Sequence, residues 1–240
     1  MYSLLRFREL PSTNTYARQK IKELSDKTVI VSDTQTAGRG RFDRNWISDI
    51  PGNIYLSIVL KPADVKPDVI STLSHYTAIA ICRVLEQYPV KPQIKWPNDI
   101  LVNGQKIAGI LAESSFMGQK FNGLVLGVGI NLNMPQNFLQ RINQPATSLN
   151  LLLEKPIDQE VFRLDFLDTF FEDYENYLKS GFKMIKNEYI KKSSFIGEKV
   201  NVKCGKVVKS GVAQSLTDNG ELILLIENGT LEKISVGEIY

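Results

Sequence analysis

Residues 93–133 constrain the fold most. They carry three apolar runs in succession, QIKWPNDILVNG (93–104), KIAGILAESS (106–115) and GLVLGVGINLN (123–133). Short runs of this kind, rich in Ile, Leu and Val, read as strands. Asn103-Gly104, between the first two, fits a tight hairpin because both residues tolerate positive φ. TVIVSD (28–33) and IYLSIVLK (54–61) read as two further strands. Val69, Ile70, Leu73, Tyr76, Ile79, Ala80, Val84 and Leu85 recur at helical spacing and predict an amphipathic helix over 67–87. STNTYARQKIKEL (12–24) predicts a short helix entered through Ser12 or Thr13, whose side chains can cap it. Two more helices are expected at 158–179 and 181–191, parted by Ser180-Gly181. The expected class is α/β (α+β): a mixed sheet with helices packed on it.

The pattern changes after Phe195. KVNVKC, KVVKSGVAQSL, ELILLIE and TLEKISV are short strands split by turns such as Asp218-Asn219-Gly220 and Asn228-Gly229, the pattern of a small β-barrel. The expected division is 1–192 and 193–240.

Composition narrows the function classes. With 43% hydrophobic and 23% charged residues over 240 positions, the chain has the balance of an ordinary globular protein. No apolar stretch approaches the roughly 20 residues that a membrane span needs, and MYSLLRFREL lacks a secretory signal. Cys82 and Cys204 do not form a C-x-x-C pair, which suits reduced thiols and a cytoplasmic location. His75 is the sole histidine, so multi-histidine metal sites are excluded, and its place on a predicted helix suits a structural role. A net charge of +3, from 29 basic and 26 acidic side chains, is too weak for broad nucleic-acid binding.

Local charge is another matter. GRGRFDRNW (38–46) sets Arg39, Arg41 and Arg44 against Asp43 alone. Glycine lets backbone N–H groups approach an anion, and arginine adds a permanent charge with a two-pronged donor geometry. A solvated basic turn would read the same way. No G-x-x-x-x-G-K-[ST] occurs, and neither Gly38-x-Gly40 nor Gly127-x-Gly129 completes G-x-G-x-x-G, so both familiar nucleotide loops are absent. KWPNDI (95–100) and KIAGIL (106–111) put Lys95 and Lys106 on segments that a hairpin can bring to one cleft, with Asn98 and Asp99 beside them. In GVGIN (127–131) two glycines leave space for a flat ligand, and Asn131 can read a base edge.

STN at 12–14, Gln35, GRGRFDRNW, KWPND, KIAGIL and GVGIN, taken in this order, resemble the biotin protein ligases. The likeness spans 12–151, and 195–240 resembles the family's SH3-like C-terminal domain. The resemblance implies that Ser12, Thr13, Asn14, Gln35, Arg39, Gly40, Arg41, Lys106 and Gly109 hold biotin, with Ala108 also behind its ring. It implies that Arg41, Arg44, Trp46, Asn98, Lys106 and Asn131 hold ATP or the adenylate. Arg39, Arg41, Lys95, Lys106 and Asp99 would serve the chemistry, with Mg²⁺ accompanying ATP and no metal ligands assignable. The implied reaction makes biotinyl-5′-AMP and passes biotin to a lysine of a biotin carboxyl carrier protein. Lipoate or octanoyl transfer, and a non-catalytic biotin-binding regulator, remain alternatives. One departure from the family loop is Asp43, where a glycine is usual. Only eleven residues precede Ser12, so the expected form is monofunctional, without a DNA-binding domain or a membrane partner. The resemblance also carries the expectation of a homodimer.

Overall fold

The computed structural model describes residues 1–118 and 120–240. In chain order, β1 (Ser3–Leu10), α1 (Thr13–Gln19), β2 (Thr28–Gln35) and β3 (Ile54–Leu60) precede α2 (Pro67–Ser71) and α3 (Leu73–Leu85). β4 (Pro92–Lys95), β5 (Asp99–Val102), β6 (Gln105–Met117) and β7 (Lys120–Ile130) follow. The helices α4 (Gln136–Leu139), α5 (Leu149–Leu153), α6 (Gln159–Glu172), α7 (Tyr174–Ser180) and α8 (Lys186–Lys192) come next, with a 3-10 turn at Gly181–Met184. Five strands close the chain: β8 (Lys199–Cys204), β9 (Val207–Leu216), β10 (Leu222–Leu225), β11 (Leu231–Ile234) and β12 (Glu238–Ile239).

The first seven strands form one sheet in the order β1-β2-β3-β7-β6-β5-β4, parallel between β1 and β2 and antiparallel elsewhere. Side chains alternate across a strand, and here the alternation divides two cores. Val29 and Val31 of β2, Ile54, Leu56, Ile58 and Leu60 of β3, and Leu124, Leu126, Val128 and Ile130 of β7 enter the larger core, with α3 and α6. The intervening Ile30, Val59 and Val125 face the other way, where they pack with Leu10, Ala17 and Ile21 against α1. Fully burying one such side chain contributes about 1.5–3 kcal/mol. α1 is only seven residues long. It leaves part of its own face of the sheet uncovered, the part bearing Ser57, Gly109, Gly127 and Gly129.

Some elements depart from expectation for local reasons. The helix over 67–87 breaks at Thr72, whose hydroxyl lies 3.0 Å from the Asp68 carbonyl and 3.1 Å from that of Val69 and back-bonds there. The helix from Ser12 runs only from Thr13 to Gln19, with the Ser12 hydroxyl accepting from the Thr15 N–H at 3.4 Å. The run 93–104 is two antiparallel strands, turning at Trp96 and Pro97, so β5 stands between β4 and β6. Lys95 and Lys106 are therefore not on neighbouring strands.

The last five strands form an antiparallel sheet in the order β11-β10-β9-β8-β12, and no ladder joins β11 to β12 among the described residues. Its Val200, Val202, Ala213, Leu216, Leu222 and Leu224 extend the larger core. Trp96 Nε1 donates to the Gly220 carbonyl at 3.2 Å and links the two sheets. His75 is buried nearby against Phe182 and Tyr189, with no hydrogen-bond partner on either ring nitrogen among the described residues. Burial, aided by the Arg41 charge, pushes its pKa down to about 3, so the ring is neutral at physiological pH. Neither cysteine is in a disulfide. No described helix is long and apolar enough to cross a membrane.

Candidate active site

Two cavities adjoin on the face of the large sheet that α1 leaves open. The narrow one, about 60 Å³, lies between the first turn of α1, the loop 38–46 and strands β3, β6 and β7. Its floor exists because three residues lack a side chain. A Cβ at Gly127 would stand 2.2 Å from Asn14 Oδ1, one at Gly129 2.5 Å from the Trp46 ring, and one at Gly109 2.9 Å from the same ring. Gly109 pairs with Gly129 across β6 and β7, and Leu111 pairs with Gly127. Polar groups line one side. Gln35 Oε1 accepts from the Thr13 N–H at 2.8 Å, and Ser57 Oγ lies 2.8 Å from Thr13 Oγ1 and 2.6 Å from Asn14 Oδ1.

The loop 38–46 closes on itself. Gly40 N–H donates to the Arg44 carbonyl at 2.7 Å, and Trp46 N–H donates to that of Gly38 at 2.9 Å. Phe42 and Asp43 at its tip have φ of +53° and +57°. Asp43 thus stands in a left-handed conformation, where glycine is unstrained and aspartate is tolerated at some cost. Each loop arginine has a partner within the protein. Arg39 holds Glu113 with both contacts at 3.0 Å, and Arg41 donates to Asn98 Oδ1 at 2.9 Å and to the Gly237 carbonyl at 3.3 Å. Arg44 pairs with both oxygens of Glu238 at 2.6 and 2.5 Å. Burial draws the pKa of Glu238 up, but the hydrogen bond and charge of Arg44 outweigh it and hold the carboxyl below its usual value.

The wide cavity, about 700 Å³, continues from the loop toward Arg141, Ile142, Asn143 and Gln144. Its wall is fixed through the backbone of Lys106, which donates to the Pro145 carbonyl and accepts from the Thr147 N–H, both at 2.9 Å. Asn131 donates to the Thr147 carbonyl at 3.0 Å. Gly40, Arg41, Trp46, Asn98 and Lys106 line both cavities. Lys106 Nζ lies 2.7 Å from Asp99 Oδ1 and 5.4 Å from the Trp46 ring centre. Its line to Asp99 is poorly aligned, and among the described residues that oxygen has no aligned donor and the buried Trp46 Nε1 no acceptor.

All nine residues expected at the biotin position line the narrow cavity, and all six expected at the ATP position line the wide one. Asp99 lines the wide cavity, while Lys95 lines neither. Ala108 points into the larger core on the opposite face. Sequence reasoning passed over Ser57, Glu113, Glu238 and Arg141. Glu113 had a signal, because it follows Gly109 and Leu111 at period two and so shares their face. Glu238 had none, being 194 positions from its partner Arg44.

The fold and site define an α/β protein with two adjoining cavities that share a lysine and an arginine. Residues 6–131 match the Biotin/lipoate A/B protein ligase family, and residues 195–240 match the Biotin protein ligase C terminal domain. The chain belongs to the Biotin/lipoate A/B protein ligase family. It is 32% identical to the biotin–[acetyl-CoA-carboxylase] ligase of Paracoccus denitrificans, over 89% of this chain and 90% of that one. It is also 32% identical to the bifunctional ligase/repressor BirA of Bacillus subtilis, over 88% of this chain but only 65% of the relative's length. Among solved structures, the biotin protein ligase of Aquifex aeolicus in complex with biotin and ATP superposes with a TM-score of 0.80 at 28% identity, covering 100% of this chain and 98% of that one.

Proposed function

We propose that the protein joins biotin to ATP, forming biotinyl-5′-AMP and pyrophosphate, and then transfers biotin to a lysine of a biotin carboxyl carrier protein, releasing AMP. The observation that carries this reading is the sharing of Lys106 and Arg41 by both cavities. A carboxylate must approach a triphosphate for the first step, and the two anions repel. Cations at the junction offset that repulsion and stabilise the charge that builds on the phosphorus oxygens. Biotin takes the narrow cavity, with its ring toward Thr13, Asn14 and Gln35 and its carboxylate toward Lys106 and Arg41. ATP takes the wide cavity, toward Arg44, Asn131 and Arg141. Mg²⁺ enters with the nucleotide, bound through the ATP phosphates. A bicyclic ring exceeds the present narrow cavity, so the Trp46 indole withdraws from Gly109 and Gly129 when biotin enters.

Residues 1–192 form the catalytic part in this reading, and 193–240 hold the loop through Gly237 and Glu238. Asp99, released from Lys106, faces the acceptor amine. The names of the relatives and of the Aquifex complex support the choice of biotin and of a carboxylase carrier. Labelled biotin, ATP and a carrier domain test the proposal. The label becomes acid-stable on the carrier lysine; transfer of lipoate in its place, or no transfer, rejects it.

A further inference from the structure

We infer that Glu113, which lines neither cavity, sets the direction of a hydrogen-bond chain so that the narrow cavity presents acceptors to a ligand bearing ring N–H groups. This inference rests on the biotin reading and deepens it. Glu113 is largely buried, with its side chain 16% exposed, and three donors converge on it. Arg18 approaches Oε1 at 2.8 Å, Arg39 approaches both oxygens at 3.0 Å, and Asn14 Nδ2 donates to Oε2 at 2.9 Å. An ion-paired carboxylate only accepts. It therefore holds the Asn14 amide with nitrogen outward and Oδ1 toward Ser57; the Leu111 carbonyl, 3.2 Å from Nδ2, favours the same orientation.

The rest follows from counting protons. Ser57 Oγ has one hydrogen and lies within reach of Asn14 Oδ1 at 2.6 Å and Thr13 Oγ1 at 2.8 Å. Asn14 Oδ1 can only accept, so the Ser57 proton goes there. The short contact between Ser57 and Thr13 then needs the Thr13 proton. The Thr13 hydroxyl also lies within hydrogen-bond reach of Gln35 Oε1, at 3.2 Å; with its proton drawn instead to the nearer Ser57, Thr13 Oγ1 keeps free lone pairs and Gln35 Oε1 accepts from the Thr13 N–H alone. Both oxygens belong to residues lining the cavity. Were Asn14 reversed, each step would invert. Ser57 would donate to Thr13, Thr13 would donate to Gln35 Oε1, and the cavity would lose acceptors. A cyclic urea, with two ring N–H groups, suits the first arrangement; a ring without N–H donors leaves those acceptors unpaired and buried, which is costly. Glu113 is thus a positioning residue that favours a ureido ring over a dithiolane.

Glu113→Gln tests this with almost no change of shape. The two arginines claim the new side chain's oxygen, so its NH₂ faces Asn14 and turns that amide around. Calorimetric titration compares biotin with its isosteric cyclic carbamate, in which oxygen replaces one ring N–H. The native protein should bind biotin at least about tenfold more tightly than the carbamate, one ordinary hydrogen bond's worth. The preference should largely vanish in Glu113→Gln through weaker biotin binding. Ser57→Ala, which cuts the chain without touching Glu113, should do the same, and it carries the test if Glu113→Gln does not fold. An unchanged preference, or equal losses for both ligands, overturns the inference while leaving the biotin reading intact. Failure of the native protein to bind biotin rejects that reading and the inference with it.

Discussion

The floor of the narrow cavity and the loop above it hold their polar groups in opposite ways. On the floor, Thr13, Asn14 and Ser57 are buried and fixed by strands β3, β6 and β7 and the first turn of α1. In the loop, Arg44 is 54% exposed and its partner Glu238 comes from the far end of the chain. Breaking a buried polar network costs about 1–3 kcal/mol per group left unpaired, whereas an exposed ion pair is worth about 0–1 kcal/mol. In the proposed reading, the part that recognises a ring is prebuilt, and the part that closes over the reacting atoms is adjustable. Lys106 stands where the two regions meet.

Replacing Lys106 should therefore have the largest effect. Lys106→Gln should slow biotin-dependent pyrophosphate release by about a thousandfold, the scale of losing one preorganised charge at the reacting atoms. Its melting temperature serves as the control, because Asp99 loses its partner. Near-native turnover would remove Lys106 from the chemistry. Gly127→Ala should come next. Its methyl would overlap Asn14 Oδ1, so the floor must shift, at a cost of about 1–3 kcal/mol in stability and a clear loss of biotin affinity. Unaltered affinity by calorimetry would mean that the floor is as adjustable as the loop.

Effects in the loop should be smaller. Glu238→Gln should change the KM for ATP by less than about fivefold, as expected for an ion pair whose arginine is half-exposed. The Glu238 carboxyl lies below its usual pKa, so the pair's contribution is present above the unfolded value of 4.5 and fades as the pH falls through the folded one. Acid titration of the variant and the native protein should accordingly differ at neutral pH and converge in acid. The smallest effect belongs to Asp43→Gly, which relieves the positive φ and should stabilise the protein by less than about 1 kcal/mol. A fall in melting temperature would show that Asp43 contributes something besides its backbone angle.

The same contrast governs what could be read before folding. The floor was legible in part from local chemistry, since Gly127 and Gly129 are two glycines in one apolar run; the family resemblance supplied Gly109, Thr13 and Asn14. Glu113 was equally legible by its spacing, but one glutamate in a strand resembles any solvated position until Arg18 and Arg39 arrive from elsewhere. The loop's arginines were visible, while their partners were not, since Gly237 and Glu238 are remote in sequence. The β1 strand was obscured by its exposed Arg6, Arg8 and Glu9, which suit an edge position. Lys95 is less plain: the turn at Trp96 and Pro97 inserts a strand between it and Lys106, and it pairs across that turn with Asp99 without lining either cavity.

Exchange of labelled pyrophosphate into ATP tests most directly whether the two cavities meet for reaction. The account predicts exchange that appears when biotin is added, is absent without it, and is nearly lost in Lys106→Gln. Exchange that is indifferent to biotin, or none with biotin present, would contradict it.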